Sequence, residues 1–183
     1  MALTNSEQGY GTLTKLLHWC IVILFAMQFV GGNIMTSIGF NSSFAGISTN
    51  DYYNWHKSLG LVALFVAVMR IINRQLGRLP PWAPSLSKGE KTFIHRLEQV
   101  FYLAMFVMPV TGWFYVMWGN YGVNFFGVWE MPRPLPRDDT LRDIAKWAHI
   151  GAAWILLAAM VGHIGLVLHH QLVKKDGLLK RML

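Results

Sequence analysis

Between Lys146 and Lys174 the chain carries no Asp, Glu, Lys or Arg. A charge-free apolar run of this length, WAHIGAAWILLAAMVGHIGLVLHHQLV, is long enough to cross the ~30 Å hydrocarbon core of a bilayer as one helix. Backbone polar groups find no water in hydrocarbon, so the segment must satisfy its own hydrogen bonds, and a helix does this. Yet the run holds His149, His163, His169 and His170. Ionisable side chains within a span are costly and usually mark function.

Three further apolar segments accompany it. The spans are expected at about residues 16–38, 52–72, 93–118 and 141–171. These define one domain over 1–183: an all-α, integral membrane four-helix bundle. The composition agrees, with 54% hydrophobic residues and eight tryptophans, a residue that favours the membrane–water interface. The net charge of +7 does not point to nucleic acid, because the basic residues fall between the apolar runs. Such charge sets topology. Arg70, Arg74, Arg78, Lys88, Lys91 and Arg96 surround the second connection, and Lys174, Lys175, Lys180 and Arg181 follow the last span. Both termini and the middle connection are therefore expected in the cytoplasm. The N-terminal segment lacks the pattern of a cleaved signal, so the first span is expected to remain. The lone Cys20 supports neither an internal disulfide nor a cysteine metal site. Pro109 is expected to kink the third helix, and residues 120–140 to fold back as a cap.

Histidine spacing carries the chemistry. His149 and His163 are 14 residues apart, close to four helical turns. They share one helix face at levels about 21 Å apart. His18 opens the first span and His56 the second. In the expected orientation His18 lies level with His163, and His56 with His149. Two pairs result, one per leaflet, each joining two helices. A flat ligand needing two axial imidazoles fits such a pair, and haem is one. Zinc would need three or four ligands at one point. Gly31, Gly32, Gly60, Gly151 and Gly162 are candidates for making room for a macrocycle. Arg70 and Arg74 are candidate propionate partners. His95 and His170 lie at the cytoplasmic level, as possible quinone or propionate contacts or, for His95, an alternative ligand.

At this point the chain resembles the bacterial cytochrome b561 family of four-helix membrane cytochromes. The likeness rests on LLHW (16–19), NWHKSLG (54–60), VMRIINR (68–74), FIHRLEQVFYLAMFVMPVTGW (93–113), FFGVWEMP (125–132), KWAH (146–149) and GHIGLVLHH (162–170). It covers nearly the whole chain. The resemblance implies two haem b groups with His18, His56, His149 and His163 as axial ligands to iron, in a multi-pass protein of the bacterial inner membrane. A characterised member oxidises superoxide and reduces ubiquinone, so the resemblance implies a superoxide:ubiquinone oxidoreductase, with superoxide or another donor on the periplasmic side. The alternative is a cytochrome b subunit that passes electrons between a dehydrogenase or hydrogenase partner and the quinone pool. Lys146, Arg142 and Lys57 are the candidate residues for steering an anionic donor. Trp19, Tyr102, His95 and His170 are candidates for the quinone slot. Membrane lipid is the remaining expected partner.

Overall fold

The computed structural model describes residues 3–183. Four long helices dominate it: α1 Thr12–Ser37, α2 Thr49–Leu76, α3 Lys88–Trp118 and α4 Asp139–Leu168. All four are long and apolar enough to cross a membrane, so the chain is a membrane four-helix bundle as expected. Even α1, with 26 residues, reaches about 39 Å at 1.5 Å per residue, more than the hydrocarbon thickness.

Each helix starts a few residues before its apolar run, because polar residues build the first turn. Ser48 caps α2 by accepting from the Asp51 amide. Ser87 and Glu90 form a reciprocal capping box on α3. Asp138 caps α4 at the Leu141 amide. At the other end α4 passes into a π-helical turn, His169–Lys174, and a short 3-10 turn follows at Leu178–Arg181. The helix α3 continues through Pro109.

Two small antiparallel hairpins join the helices, which the apolar pattern did not announce. Strands β1 (Ser43–Phe44) and β2 (Ile47–Ser48) lie between α1 and α2. Strands β3 (Asn124–Phe125) and β4 (Trp129–Glu130) lie between α3 and α4. Their turns place Ala45–Gly46 at φ 51° and 78°, and Phe126–Gly127 at φ 48° and 77°. Two successive left-handed residues match the twist of a tight hairpin. The second hairpin does cap the bundle. The buried Ser58 hydroxyl on α2 accepts from the Phe126 amide at 2.9 Å, and Lys57 Nζ donates to the Gly122 carbonyl at 2.9 Å.

The helices pack as two pairs, α1 with α2 and α3 with α4, with a narrower contact between α2 and α3. Ile21, Leu24, Ala63, Ala67 and Met105 form one core cluster, and Val116, Met117 and Val123 another. By contrast α4 is not closely packed against α1 or α2. The looser packing thus lies between α4 and the α1–α2 pair, and the histidines face one another there. The outer faces carry exposed Ile23, Phe65, Trp154, Ile155 and Val161, a surface suited to hydrocarbon. The chain ends meet at one end of the bundle: Lys15 Nζ reaches the Leu183 carbonyl, and Trp19 Nε1 donates to Met182 O at 2.8 Å.

Candidate functional site

Two pairs of imidazoles meet between α4 and the α1–α2 pair. His18 on α1 faces His163 on α4 with ring centres 6.3 Å apart, and His56 on α2 faces His149 on α4 at 6.1 Å. These are the two pairs expected from spacing. An imidazole nitrogen binds a first-row metal at ~2.0–2.1 Å, and the ring centre lies about 1.1 Å behind it, so two rings on opposite faces of one metal should be ~6.3 Å apart. Both pairs are close to that separation, with their ring planes at 64° and 80°. Among the described residues no three His, Cys, Asp or Glu side chains converge on one point, so the arrangement is two ligands per level and not a zinc cage.

The second nitrogen of each ring has its own surroundings. His149 Nδ1 lies 2.8 Å from the Met108 carbonyl and 3.4 Å from the Thr111 hydroxyl. A carbonyl only accepts, so Nδ1 carries the proton and Nε2 is left with its lone pair for a metal. The backbone of α3 comes close enough for this because residue 112 is glycine. A Cβ there would lie 3.0 Å from His149 Cε1 and 3.1 Å from Nδ1. Gly32 does the same for His56 at 3.3 Å from Cε1. So Gly32 lets a helix backbone approach a histidine ring. Gly60 lies against the Gln28 amide, whose Nε2 donates to the His56 carbonyl at 2.9 Å, and Gly162 lies against Phe93. His163 is flanked by Phe101, with ring centres 5.7 Å apart, and His18 by Trp19 at 5.5 Å.

Arg70 lies beside the first pair, with Nη1 3.3 Å from His18 Nδ1. Its Nε is buried without a partner, and no carboxylate pairs with it among the described residues. A part-buried guanidinium without an anion is costly, so this position fits the acidic edge of a porphyrin. Arg74 is already engaged by Glu98 at 3.0 Å and lies over the Tyr102 ring.

The other sequence candidates separate clearly. His95 is exposed and faces Glu98 and Gln99. His170 is fully buried, with Nδ1 2.5 Å from Asp176 Oδ2 and Nε2 3.2 Å from Glu90 Oε1. Each ring nitrogen already faces a carboxylate, so neither is open to a quinone or propionate. Lys174 completes this clasp on Glu90 at 2.6 Å. The His170 hydrogen bond holds the Asp176 carboxyl down at about 2, with Ser85 assisting. At the other end, Arg142 is shared between Asp139 and Asp143. Lys146 lies over the Trp147 ring without an acidic partner among the described residues.

Four apolar helices, two histidine pairs at two levels and an unpaired internal cation together fit a membrane b-type cytochrome. A family model for prokaryotic cytochrome b561 matches residues 9–183, and the chain belongs to that family. It is also 25% identical to cytochrome b561 homolog 2 of Escherichia coli (strain K12), over all of this chain and 95% of that protein. The protein is thus a multi-pass electron-transfer protein of the bacterial inner membrane, an oxidoreductase that uses b-type haem.

Sequence reasoning missed the α3 contribution. Met108, Thr111 and Gly112 were visible only as part of an apolar run around Pro109. Their signal was present in MPVTG: a proline, a hydroxyl and a glycine within one helical turn of a span.

Proposed function

We propose that the protein holds two b-type haems, one between His18 and His163 and one between His56 and His149, and carries electrons from superoxide to ubiquinone. The single observation behind this reading is the pair of ring separations, 6.3 and 6.1 Å, set on α4 by ligands 14 residues apart. When bound, haem with two imidazole ligands supplies reversible one-electron transfer with no open position on iron. The chain supplies everything else. Met108 O fixes the tautomer of His149, and Arg70 offers its unpaired charge to a propionate.

Loop charges support an orientation with the His56/His149 end toward the periplasm and both termini toward the cytoplasm. Lys57 follows His56 directly and is held by the hairpin carbonyl of Gly122, and Lys146 lies one turn before His149. Neither lysine has an ion-pair partner among the described residues, so both offer local positive charge to an anionic donor. Arg142 contributes less, because Asp139 and Asp143 neutralise it. Each superoxide gives up one electron and leaves as dioxygen. Ubiquinone takes two electrons and two protons from water to become ubiquinol, so two superoxides are consumed per quinol.

The test combines stoichiometry and turnover. Purified protein should bind two haems, and each of His18→Ala and His56→Ala should remove one. With superoxide and a soluble quinone, the wild type should form quinol and His56→Ala should not. A protein with two haems that forms no quinol would sink the superoxide reading. It would favour a subunit that docks a dehydrogenase or hydrogenase, for which Val128 in the turn of the second hairpin, 86% accessible, offers an apolar contact.

A further inference from the structure

A cavity of about 530 Å³ lies at the His18/His163 end, where the chain ends meet over the start of α1. Its lining includes Lys15, Lys180 and Arg181, the hydroxyls of Ser6 and Tyr10, and no Asp or Glu among the described residues. Three cations converge here where separation would lower their mutual repulsion. Two are fixed in place. Arg181 donates to Pro81 O at 2.6 Å and lies over the Tyr10 ring, and Lys15 is held at Leu183 O. Lys180 Nζ has no hydrogen bond or ion pair among the described residues, and the same residue lines a second cavity with Lys175. Burial pushes the Tyr10 phenol up, so it remains a neutral hydrogen-bond donor. The cluster thus has the donors and charge of a phosphate site.

The surroundings say which phosphate. Leu16 follows Lys15 and is 58% exposed, and exposed Ile23 and Met27 continue from it at helical spacing along the outer face of α1. A headgroup in the cavity would have its acyl chains led onto this apolar stripe. A free phosphate has no use for it. We propose that this cavity binds the phosphate of an anionic phospholipid headgroup, with the acyl chains lying along Leu16, Ile23 and Met27. Basic pockets at the ends of membrane helices recognise anionic headgroups in this way, each cation contributing about fivefold in affinity. The site does not depend on how the histidines are used.

Native mass spectrometry of the purified full chain in detergent tests this, with added phosphatidylglycerol or phosphatidylcholine. The wild type should retain phosphatidylglycerol in preference to phosphatidylcholine. Lys180→Gln breaks no contact of the fold and should weaken phosphatidylglycerol retention about fivefold. Lys91→Gln removes the same charge from α3 at the same end of the bundle and should leave retention unchanged. Equal retention of the two lipids, no effect of Lys180→Gln, or an equal effect of Lys91→Gln would overturn the proposal. So would complete displacement of the lipid by millimolar inorganic phosphate, which would make the cavity a free-phosphate site.

Discussion

Gly112→Ala is a one-carbon test of how α3 holds a ligand that α4 supplies. The added Cβ would lie 3.0 Å from His149 Cε1 and 3.1 Å from Nδ1, closer than carbon atoms pack. The clash is with a ring fixed by its contact to Met108 O at 2.8 Å, so the ring must give way by a few tenths of an ångström and spoil that hydrogen bond. Overpacking of this kind costs about 1–3 kcal/mol, or about 5–150-fold in a binding constant. On the proposed assignment the loss should fall on the haem of the His56/His149 pair alone, because His163 is 14 residues away along α4. Haem content and the reduced-minus-oxidised spectrum of purified protein read this directly, without turnover. The expected result is less than two haems per chain, with a spectrum resembling that of His56→Ala. Gly165→Ala is the control: its Cβ meets nothing within 4 Å, and the position is exposed. Full haem content in Gly112→Ala, with an unchanged spectrum, would refute the idea that the α3 backbone sets the His149 ring.

Arg70→Gln removes the unpaired cation beside His18 and should weaken haem at the His18/His163 level, read as a lower yield of that component in a redox titration. An unchanged titration would show that no propionate uses this guanidinium. Ser58→Ala removes the hydroxyl that accepts from the Phe126 amide in a part-buried contact. It should cost about 0.5–1.5 kcal/mol and speed hydrogen exchange at Phe126; unchanged exchange would mean that the hairpin is latched elsewhere. The His170–Asp176 contact should be acid-labile. The Asp176 carboxyl sits at about 2 in the fold, below its ordinary value of 3.8, so its stabilising effect is present above about pH 4 and is lost as pH falls toward 2. The Trp19 indole N–H resonance, which reports the docked tail through its hydrogen bond to Met182 O, should shift in that window and lose the shift in Asp176→Asn. A transition that persists in the variant would assign it to another group.

Much of the site was legible because a helix has a fixed rise. Fourteen residues on α4 set two levels, and the histidines opening α1 and α2 can reach only one level each. What could not be read was rotation about the helix axes. Gly32 was expected at the level of His56 and lies there, but that its backbone abuts the His56 ring depends on which side of α1 meets α2, set by packing at Ile21, Leu24, Ala63 and Ala67. His170 was out of reach for a different reason. Its partner Asp176 lies beyond Lys175, which turns left-handed at φ 53° and folds the tail back; no periodicity signals that bend. The hairpins were hidden because each ladder has only two residues per strand, too short for alternation to show.

The helix without a proposed ligand explains how the others are used. On the proposed assignment α1 and α2 each supply one imidazole and α4 supplies two, and α3 supplies none. But α3 packs along α4 and presents Met108 O, Thr111 and Gly112 to His149, and Phe93 and Phe101 to the level of His163. His149 reaches away from its own helix, so the partner of its Nδ1 is a carbonyl of α3, Met108 O, which has a second lone pair to offer. Close approach of that neighbouring backbone is eased by a residue without a side chain there. That makes Gly112 and Gly32 equivalent in kind: each lets one helix reach a histidine of another, one at 3.0 Å and one at 3.3 Å. The tighter of the two should be the less tolerant of alanine, so Gly112→Ala should lose more haem than Gly32→Ala, and the reverse order would mean that close backbone approach does not control ligand position.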